Sequence, residues 1–101
     1  VLPSQCSKNG MMYAGELLSI MDIVGGTCAF KHCHGPVVTV TIDSVRFLAP
    51  AFAHHALVVS GQVNAVFGSS VEIDVDIHVE NSLEGTMRLC CTGRLIFVHL
   101  D

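Results

Sequence analysis

The chain has 101 residues, which is enough for one domain and too few for two. Half of the residues are hydrophobic and only 14% are charged, against about 25% in an average soluble domain, so a monomer of this size would be short of polar surface. The net charge is −4, and the sequence has no tryptophan, one tyrosine and no cluster of basic residues. This composition argues against a nucleic-acid-binding protein. Three explanations of the low charge content remain: a membrane protein, an aggregation-prone fragment, or a subunit whose apolar surface is buried in an oligomer.

The membrane interpretation fails on pattern. The stretch from Phe47 to Val71 has no charged residue and is long enough to span a bilayer, but it contains many polar side chains and a proline. No transmembrane helix is therefore predicted. The first residue is Val1 rather than methionine, so we expect a trimmed or processed chain whose targeting peptide is unreadable.

The N-terminal part of the chain predicts a loop or short strand followed by one long helix. Residues 1–13 carry the turn formers Pro3, Ser4, Ser7, Asn9 and Gly10. From Ala14 to Lys31 the chain has no proline and is apolar on nearly every side, which predicts a helix buried all round.

Glycines mark a close contact within this helix and a turn marks its end. Gly25-Gly26 lower the helix propensity, which indicates that another backbone packs closely there. The turn sequence His34-Gly35-Pro36 ends the helix.

After Pro36 the hydrophobic period changes to two, and four strands are predicted. They run from Val37 to Leu48, from Leu57 to Phe67, from Val71 to Glu80 and from Met87 to Leu100, with Gly93 as a candidate bulge. One long helix followed by strands with short connections predicts an α+β fold with an antiparallel sheet wrapped around the helix.

Asp22 is the first candidate for chemistry. It is the only charged residue between Glu16 and Lys31, within the most apolar part of the helix. An unpaired carboxylate is costly to bury, so such a residue has a partner or a task. A catalytic general base or nucleophile is one interpretation. A helix face in contact with solvent, or an ion pair at a subunit interface, is the other.

Cysteines and histidines give a weaker signal. Cys28, His32, Cys33 and His34 offer soft ligands, but no second well-spaced pair follows, because Cys90 and Cys91 are expected on opposite sides of a strand. We therefore expect no metal, polar residues that turn outward at the helix end, and reduced cysteines in an intracellular protein.

Other polar groups have ordinary structural interpretations. His54-His55 is typical of a solvated loop. The acidic residues Glu72, Asp74, Asp76 and Glu80 alternate along a strand, as on the solvated face of an edge or outer strand. Gly68-Ser69-Ser70 could offer backbone N–H groups to an anion. No nucleophile elbow, P-loop or dinucleotide fingerprint occurs.

Short motifs along nearly the whole chain resemble one family, the hotdog-fold acyl-CoA thioesterases that include the cytosolic acyl-CoA hydrolases. The motifs are Pro3, Asn9-Gly10, Ala14-Gly15-Glu16-Leu17-Leu18, Met21-Asp22, Val38-Thr39-Val40, Asp43-Ser44-Val45-Arg46-Phe47-Leu48-Ala49-Pro50, Gly68-Ser69-Ser70 and Phe97-Val98.

The resemblance implies a hotdog fold, with a five- or six-stranded antiparallel sheet around the central helix, over the single domain 1–101. It implies subunits paired edge to edge, as dimers or trimers of dimers, with active sites between subunits. The implied reaction is hydrolysis of fatty acyl-CoA to free acid and CoA. Asp22 then activates water or attacks the thioester, backbone N–H near Gly15 polarises the carbonyl, and Gly68, Ser69 and Ser70 lie near the CoA.

One departure from the family concerns its usual asparagine, whose position is held by Ser7, with Asn9 out of register. Serine donates a hydrogen bond but is shorter than asparagine. The chain is therefore a divergent enzyme that uses Ser7, one domain of a longer two-domain protein, or a non-catalytic acyl-CoA-binding or assembly subunit. A hotdog dehydratase is disfavoured, since the expected histidine and acidic residue in a His-Phe-Pro context are absent.

Binding of CoA requires cations for its phosphates. The chain offers Lys8, Lys31, Arg46, Arg88 and Arg94, of which Arg46 and Arg88 are preferred because strands would hold them rigidly. CoA is part of the substrate, so no cofactor is expected. The expected compartment is the cytoplasm, with a mitochondrial location left open.

Overall fold

A computed structural model describes residues 6–8 and 10–100. Its elements are α1 (Ala14–Cys33), β1 (Val37–Phe47), β2 (Ala56–Phe67), β3 (Ser70–Asn81) and β4 (Thr86–His99). The predicted helix and four strands are confirmed, with every boundary shifted by two residues or fewer. Pro3, Ser4 and Asn9, which were interpreted as turn formers, lie outside the described residues.

The strands form one antiparallel sheet in the order β1-β4-β3-β2, so β1 and β2 are its edges. The sheet has four strands in the described part of the chain rather than five or six. Among the described residues before α1, Cys6 bridges with Met12 and Met11 with Phe52, and these isolated bridges do not form a further strand.

One stripe of α1 packs on the sheet. Leu17, Met21, Gly25 and Ala29 are buried and recur every four residues, which places them on one helix face. The helix contacts all four strands. The prediction of a helix buried all round is wrong for the single chain, because Ile23 is 66% exposed on the opposite face. The sheet covers only one side of the helix.

The two helix glycines have different neighbours. A Cβ on Gly25 would lie 3.2 Å from the ring of Phe97, whereas one on Gly26 would meet no atom closer than 3.6 Å. The expected close backbone is therefore wrong, and the close neighbour is an aromatic side chain from β4. Phe97 is 2% exposed and has little room to withdraw.

The extra residue of β4 is Cys90 and not Gly93, which instead lies opposite a bulge in β1 at Ser44 and Val45. Gly93 pairs regularly with Val75, while Cys90 is the extra residue between Leu89 and Cys91. A Cβ at position 93 would lie 3.0 Å from the Met21 sulfur, so this glycine serves the approach of the helix. The bulge also turns Cys90 inward, and both cysteines are fully buried. The prediction that they point to opposite sides is wrong.

β3 shows the alternation that its sequence predicts. Val71, Ile73, Val75 and Ile77 are buried towards the helix, and the acidic residues between them lie on the outer face. The strand itself is interior, between β2 and β4, so the acidic residues are half-buried. Within the described residues no helix is long and apolar enough to cross a membrane.

Replacing each helix glycine by alanine tests this packing. Gly26→Ala should stabilise the fold by about 0.5–1 kcal/mol, since alanine favours the helix and meets only ordinary contacts. Gly25→Ala should be less stable than Gly26→Ala by on the order of 1–2 kcal/mol, because the Phe97 ring must move. Urea unfolding at one protein concentration measures both changes. An equal gain from the two substitutions would contradict the Phe97 contact.

Candidate functional site

Asp22 lies on α1 beside the buried residue Met21 and is half-buried. Successive helix residues are rotated by about 100°, so the side chain at position 22 leaves the buried stripe and faces the β1 edge. Its Oδ1 accepts a hydrogen bond of 2.6 Å from the Thr39 hydroxyl. No hydrogen bond to Oδ2 occurs within residues 6–8 and 10–100. One carboxylate oxygen is therefore fixed and the other is available.

Thr39 is a partner that the interpretation of Asp22 did not include. It pairs with Phe97, so its side chain lies on the helix-facing side of the sheet. The available signal was a hydroxyl residue between two valines on a strand, which alone does not specify a partner 17 residues away.

The two polar residues share an open cleft of about 530 Å³ between α1 and β1. The rest of the lining is largely apolar and consists of Ile23, Gly26, Thr27, Phe30, Pro36, Val37 and Phe97. No cation forms an ion pair with Asp22 in the part of the chain that the structure describes. The cleft thus contains a carboxylate and a hydroxyl, and the side chains around them are largely apolar.

Gly15 and Ser7 lie near the start of the helix. Gly15 is exposed, and its N–H donates to no acceptor among the described residues, as is usual in the first helix turn. Asp22 is seven positions further along the helix, which is roughly 10 Å along the axis. Ser7 donates its backbone N–H to the Met11 carbonyl at 2.7 Å and lies in the turn before the helix.

The residues predicted to bind CoA are spread over the chain. Gly68, with φ +57°, begins the turn between β2 and β3, and Ser69 accepts a hydrogen bond from His99 N–H at 2.8 Å. Arg46 lies opposite Thr92 on the outer face. Arg88 lines a separate cleft. Within one chain the structure does not bring these residues to Asp22.

A metal centre is not formed by the described residues, where no three ligating side chains come together. His32 and His34 are exposed at the helix end, as the outward-turned interpretation predicts. His54 is exposed in its loop, but His55 is half-buried, and its Nδ1 accepts a hydrogen bond from the Phe52 N–H at 3.0 Å. The solvated-loop interpretation is therefore wrong for His55.

Comparison with known proteins places the chain in a family. A family model described as the thioesterase superfamily matches residues 9–86. An uncharacterized acyl-CoA thioester hydrolase of Bacillus subtilis is 32% identical over 101 residues, which is all of this chain and 59% of that protein. The chain thus spans about three-fifths of that relative. It belongs to the thioesterase superfamily, and the resemblance stated from its motifs is confirmed.

Solved structures confirm the hotdog-type architecture. An apo-hexameric acyl-CoA thioesterase superimposes with a TM-score of 0.96 at 34% identity, covering 100% of this chain and 65% of that one. The acyl-CoA hydrolase of Staphylococcus aureus, solved in complex with butyryl coenzyme A, gives 0.94 at 31% identity, covering 100% and 62%. Alanine variants of the latter replace an aspartate and a threonine that are 17 positions apart.

The buried cysteines give a test of the core between helix and sheet. Burial, with the neighbouring Cys90 thiol, raises the pKa of Cys91 to about 12, and burial also raises the pKa of Cys90. A raised pKa keeps a thiol protonated, and the protonated form is not the nucleophile. At pH 8 iodoacetamide should therefore label the half-buried Cys28 and Cys33 well before Cys90 and Cys91, as read by peptide mass mapping. Equal rates in the folded protein would contradict the burial, and denaturant should make all of them react.

Proposed function

We propose that this chain is the hydrolytic domain of an acyl-CoA thioesterase that converts fatty acyl-CoA to free fatty acid and CoA. The observation that carries the proposal is the pairing of Asp22 with Thr39 in an open, largely apolar cleft. Asp22 and Thr39 have the same separation in sequence as the two residues replaced in the S. aureus hydrolase. No cofactor is proposed, because CoA enters as part of the substrate.

Asp22 is proposed as the catalytic carboxylate. As a general base, it accepts a proton from water while the water oxygen bonds to the thioester carbon. The C–S bond then breaks, and CoA leaves as a thiolate that takes up a proton. As a nucleophile, Asp22 instead bonds through a carboxylate oxygen to the thioester carbon, the C–S bond breaks and CoA leaves as a thiolate that takes up a proton. Water then hydrolyses the acyl anhydride to free acid and the regenerated carboxylate. In a single turnover in ¹⁸O-water, label in the Asp22 carboxylate identifies the nucleophilic route, with water attacking the Asp22 carbonyl of the anhydride. The general-base route places ¹⁸O only in the product acid.

Thr39 is proposed as the residue that positions this carboxylate. Its hydroxyl donates to Oδ1, which fixes the carboxylate rotation and leaves Oδ2 for water. A hydrogen bond to a charged acceptor stabilises by about 1.5–3 kcal/mol, so its loss should be visible in the rate.

The proposed oxyanion donor is the N–H of Gly15 at the start of α1. It is proposed to act at the Asp22 site of a second copy of the chain. The Gly15 N–H, which has no acceptor among the residues that the structure describes, and the positive end of the helix dipole suit a developing oxyanion. Within one chain Gly15 lies roughly 10 Å from Asp22 along the helix, which is too far for both to act on one carbonyl. If a second subunit places its own Gly15 beside Asp22, both groups can act on the same carbonyl.

Strand β1 is the proposed pairing edge. It is a long edge strand, and its Val38, Val40 and Ile42 are each more than 40% exposed. Antiparallel pairing of two β1 strands lays the end of one strand beside the start of the other. Since α1 runs antiparallel to the β1 that follows it, this pairing brings the helix start of one copy towards Asp22 of the other. We therefore propose a homo-oligomer with sites between subunits, as a dimer or a trimer of dimers.

Gly68, Ser69 and Ser70 stay candidates for CoA contact in this arrangement. Their turn lies at the same end of the sheet as the start of β1, since Ser70 pairs with Val98 and Val98 with Val38. Arg88 lies towards the other end of the sheet, so it would serve a site on the neighbouring copy. Arg46 lies at the same end but on the outer face, away from the helix, and is the weaker candidate. Ser7 precedes the helix start and would accompany Gly15 to that site.

Replacing the two cleft residues tests the catalytic proposal. Asp22→Asn should lower the rate of CoA release by about 10²–10⁴-fold, because asparagine does not accept the proton. Thr39→Val should lower kcat by about tenfold or more, while Thr39→Ser, which keeps the donor, retains most of it. CoA release from acyl-CoAs of several chain lengths measures these rates. Equal activity of wild type and Asp22→Asn would remove Asp22 from the mechanism. Tight CoA binding without wild-type turnover would instead identify a non-catalytic acyl-CoA-binding subunit.

A charge on the β1 edge tests the oligomer. Val40→Lys should block strand pairing, so the mass measured by light scattering should fall towards the 10.8 kDa of one chain. Turnover should fall with it. Leu83→Lys is the matched control, since Leu83 is 91% exposed in the β3–β4 turn and should change neither quantity. A wild-type monomer at micromolar concentration, or a fully active Val40→Lys monomer, would overturn this arrangement.

A further inference from the structure

A second, polar cleft lies at the end of the sheet remote from the β2–β3 turn. It has a volume of about 230 Å³ and is enclosed between the loop after β1 and the β3–β4 turn. Its lining includes Phe52, His54, His55, Asn81 and Arg88, and none of the residues of the Asp22 cleft. This composition differs from the apolar wall around Asp22 and suits an anion.

The two imidazoles of this cleft touch each other. The ring centroids of His54 and His55 are 4.4 Å apart, and His54 stacks at 14° on Phe52. Phe52 donates its backbone N–H to Nδ1 of His55, so neutral His55 carries its proton on Nε2. Burial lowers the pKa of His55, and the neighbouring His54 and Arg88 lower it further. His55 is thus held as an N–H donor in a fixed orientation.

Arg88 has a guanidinium whose donors are not used by any residue that the structure describes. It lies on β4 opposite Val79 and makes no hydrogen bond or ion pair with any described residue. Arg94 differs, since its Nε lies 3.0 Å from Asp74 and 3.8 Å from Glu72. Arg88 is therefore free to bind a ligand, whereas Arg94 is held on the outer face by carboxylates.

We propose that this cleft binds a phosphate monoester. The planar fork of Arg88 matches two phosphate oxygens, and the N–H groups of His54 and His55 supply further donors to a tetrahedral anion. Glu84 on the rim opposes the charge and limits the affinity. The phosphate comes from one of two sources, the 3′-phosphate of CoA or a separate phosphorylated small molecule.

The first source rests on the proposed function, and its geometry requires a second subunit. Thr39 lies near the start of β1 and this cleft lies beyond the end, so within one chain roughly 30 Å separates them. Antiparallel pairing through β1 brings the cleft of one copy to the end of the sheet where the other copy has Asp22 and Thr39. The nucleotide would then be held by the subunit that does not supply Asp22.

Direct titration tests the cleft without any turnover. Isothermal titration of the whole chain with adenosine 3′,5′-bisphosphate and with inorganic phosphate, at low ionic strength, gives the affinities. Arg88→Gln should weaken both ligands by about tenfold or more, which is the usual loss for a charge-assisted hydrogen bond. His54→Gln should weaken them less, and Glu84→Gln should strengthen them. Arg94→Gln removes the same charge from the outer face and should leave both affinities within a factor of about two.

The source of the phosphate follows from a second pair of titrations. If the cleft binds the 3′-phosphate of CoA, wild type binds CoA more tightly than dephospho-CoA, and Arg88→Gln abolishes the difference. If CoA and dephospho-CoA bind equally while Arg88→Gln still weakens the bisphosphate, the cleft serves a separate phosphorylated ligand. No binding of either probe to wild type, or an equal loss in Arg88→Gln and Arg94→Gln, would overturn the site. Because these titrations need no turnover, a failed hydrolysis assay leaves their outcome readable.

Discussion

The close contact between α1 and the sheet sets the position of every group in the proposed site. Gly25 lets the Phe97 ring approach the helix, and Gly93 makes room for the Met21 sulfur. These contacts fix both the distance of the helix from β4 and its rotation. Asp22 follows Met21 directly, so the buried methionine determines where the carboxylate points. The hydrogen bond between Asp22 and Thr39 depends on this position and rotation of the helix.

The shortage of charge in the sequence has a location in the structure. The helix face that turns away from the sheet carries exposed apolar residues such as Ile23 and Phe30, and the β1 edge carries Val38, Val40 and Ile42. Monomeric soluble domains rarely expose large apolar patches to water, and such patches usually mark an interaction surface. The outer face of the sheet, in contrast, carries Arg94 with its carboxylate partners. The ion pairs of Arg94 thus lie on the outer face, while the β1 edge lies where a second copy is proposed to pack.

The groups proposed to bind and cleave an acyl-CoA lie at opposite ends of one chain. Asp22 and Thr39 lie near the start of β1, with the Gly68–Ser70 turn at the same end of the sheet. Gly15 and the cleft of Arg88 lie towards the other end. If two copies pair through antiparallel β1 strands, Asp22 and Thr39 of each copy lie near Gly15 and the Arg88 cleft of the other. The dimer then contains two such sites.

Sequence alone determined the helix, the four strands and the prominence of Asp22. The 3.6-residue and two-residue hydrophobic periods are local properties, and a single carboxylate among apolar residues is visible without coordinates. The family also followed from short motifs along the chain. The side to which Cys90 turns was not visible, because a bulge depends on pairing with β3. Tertiary structure also decided that Thr39 is the partner of Asp22, that Phe97 fills the space at Gly25, and that His54, His55 and Arg88 share a cleft. Each of these joins residues distant in the chain, and only the packing of helix on sheet and strand on strand brings them into contact.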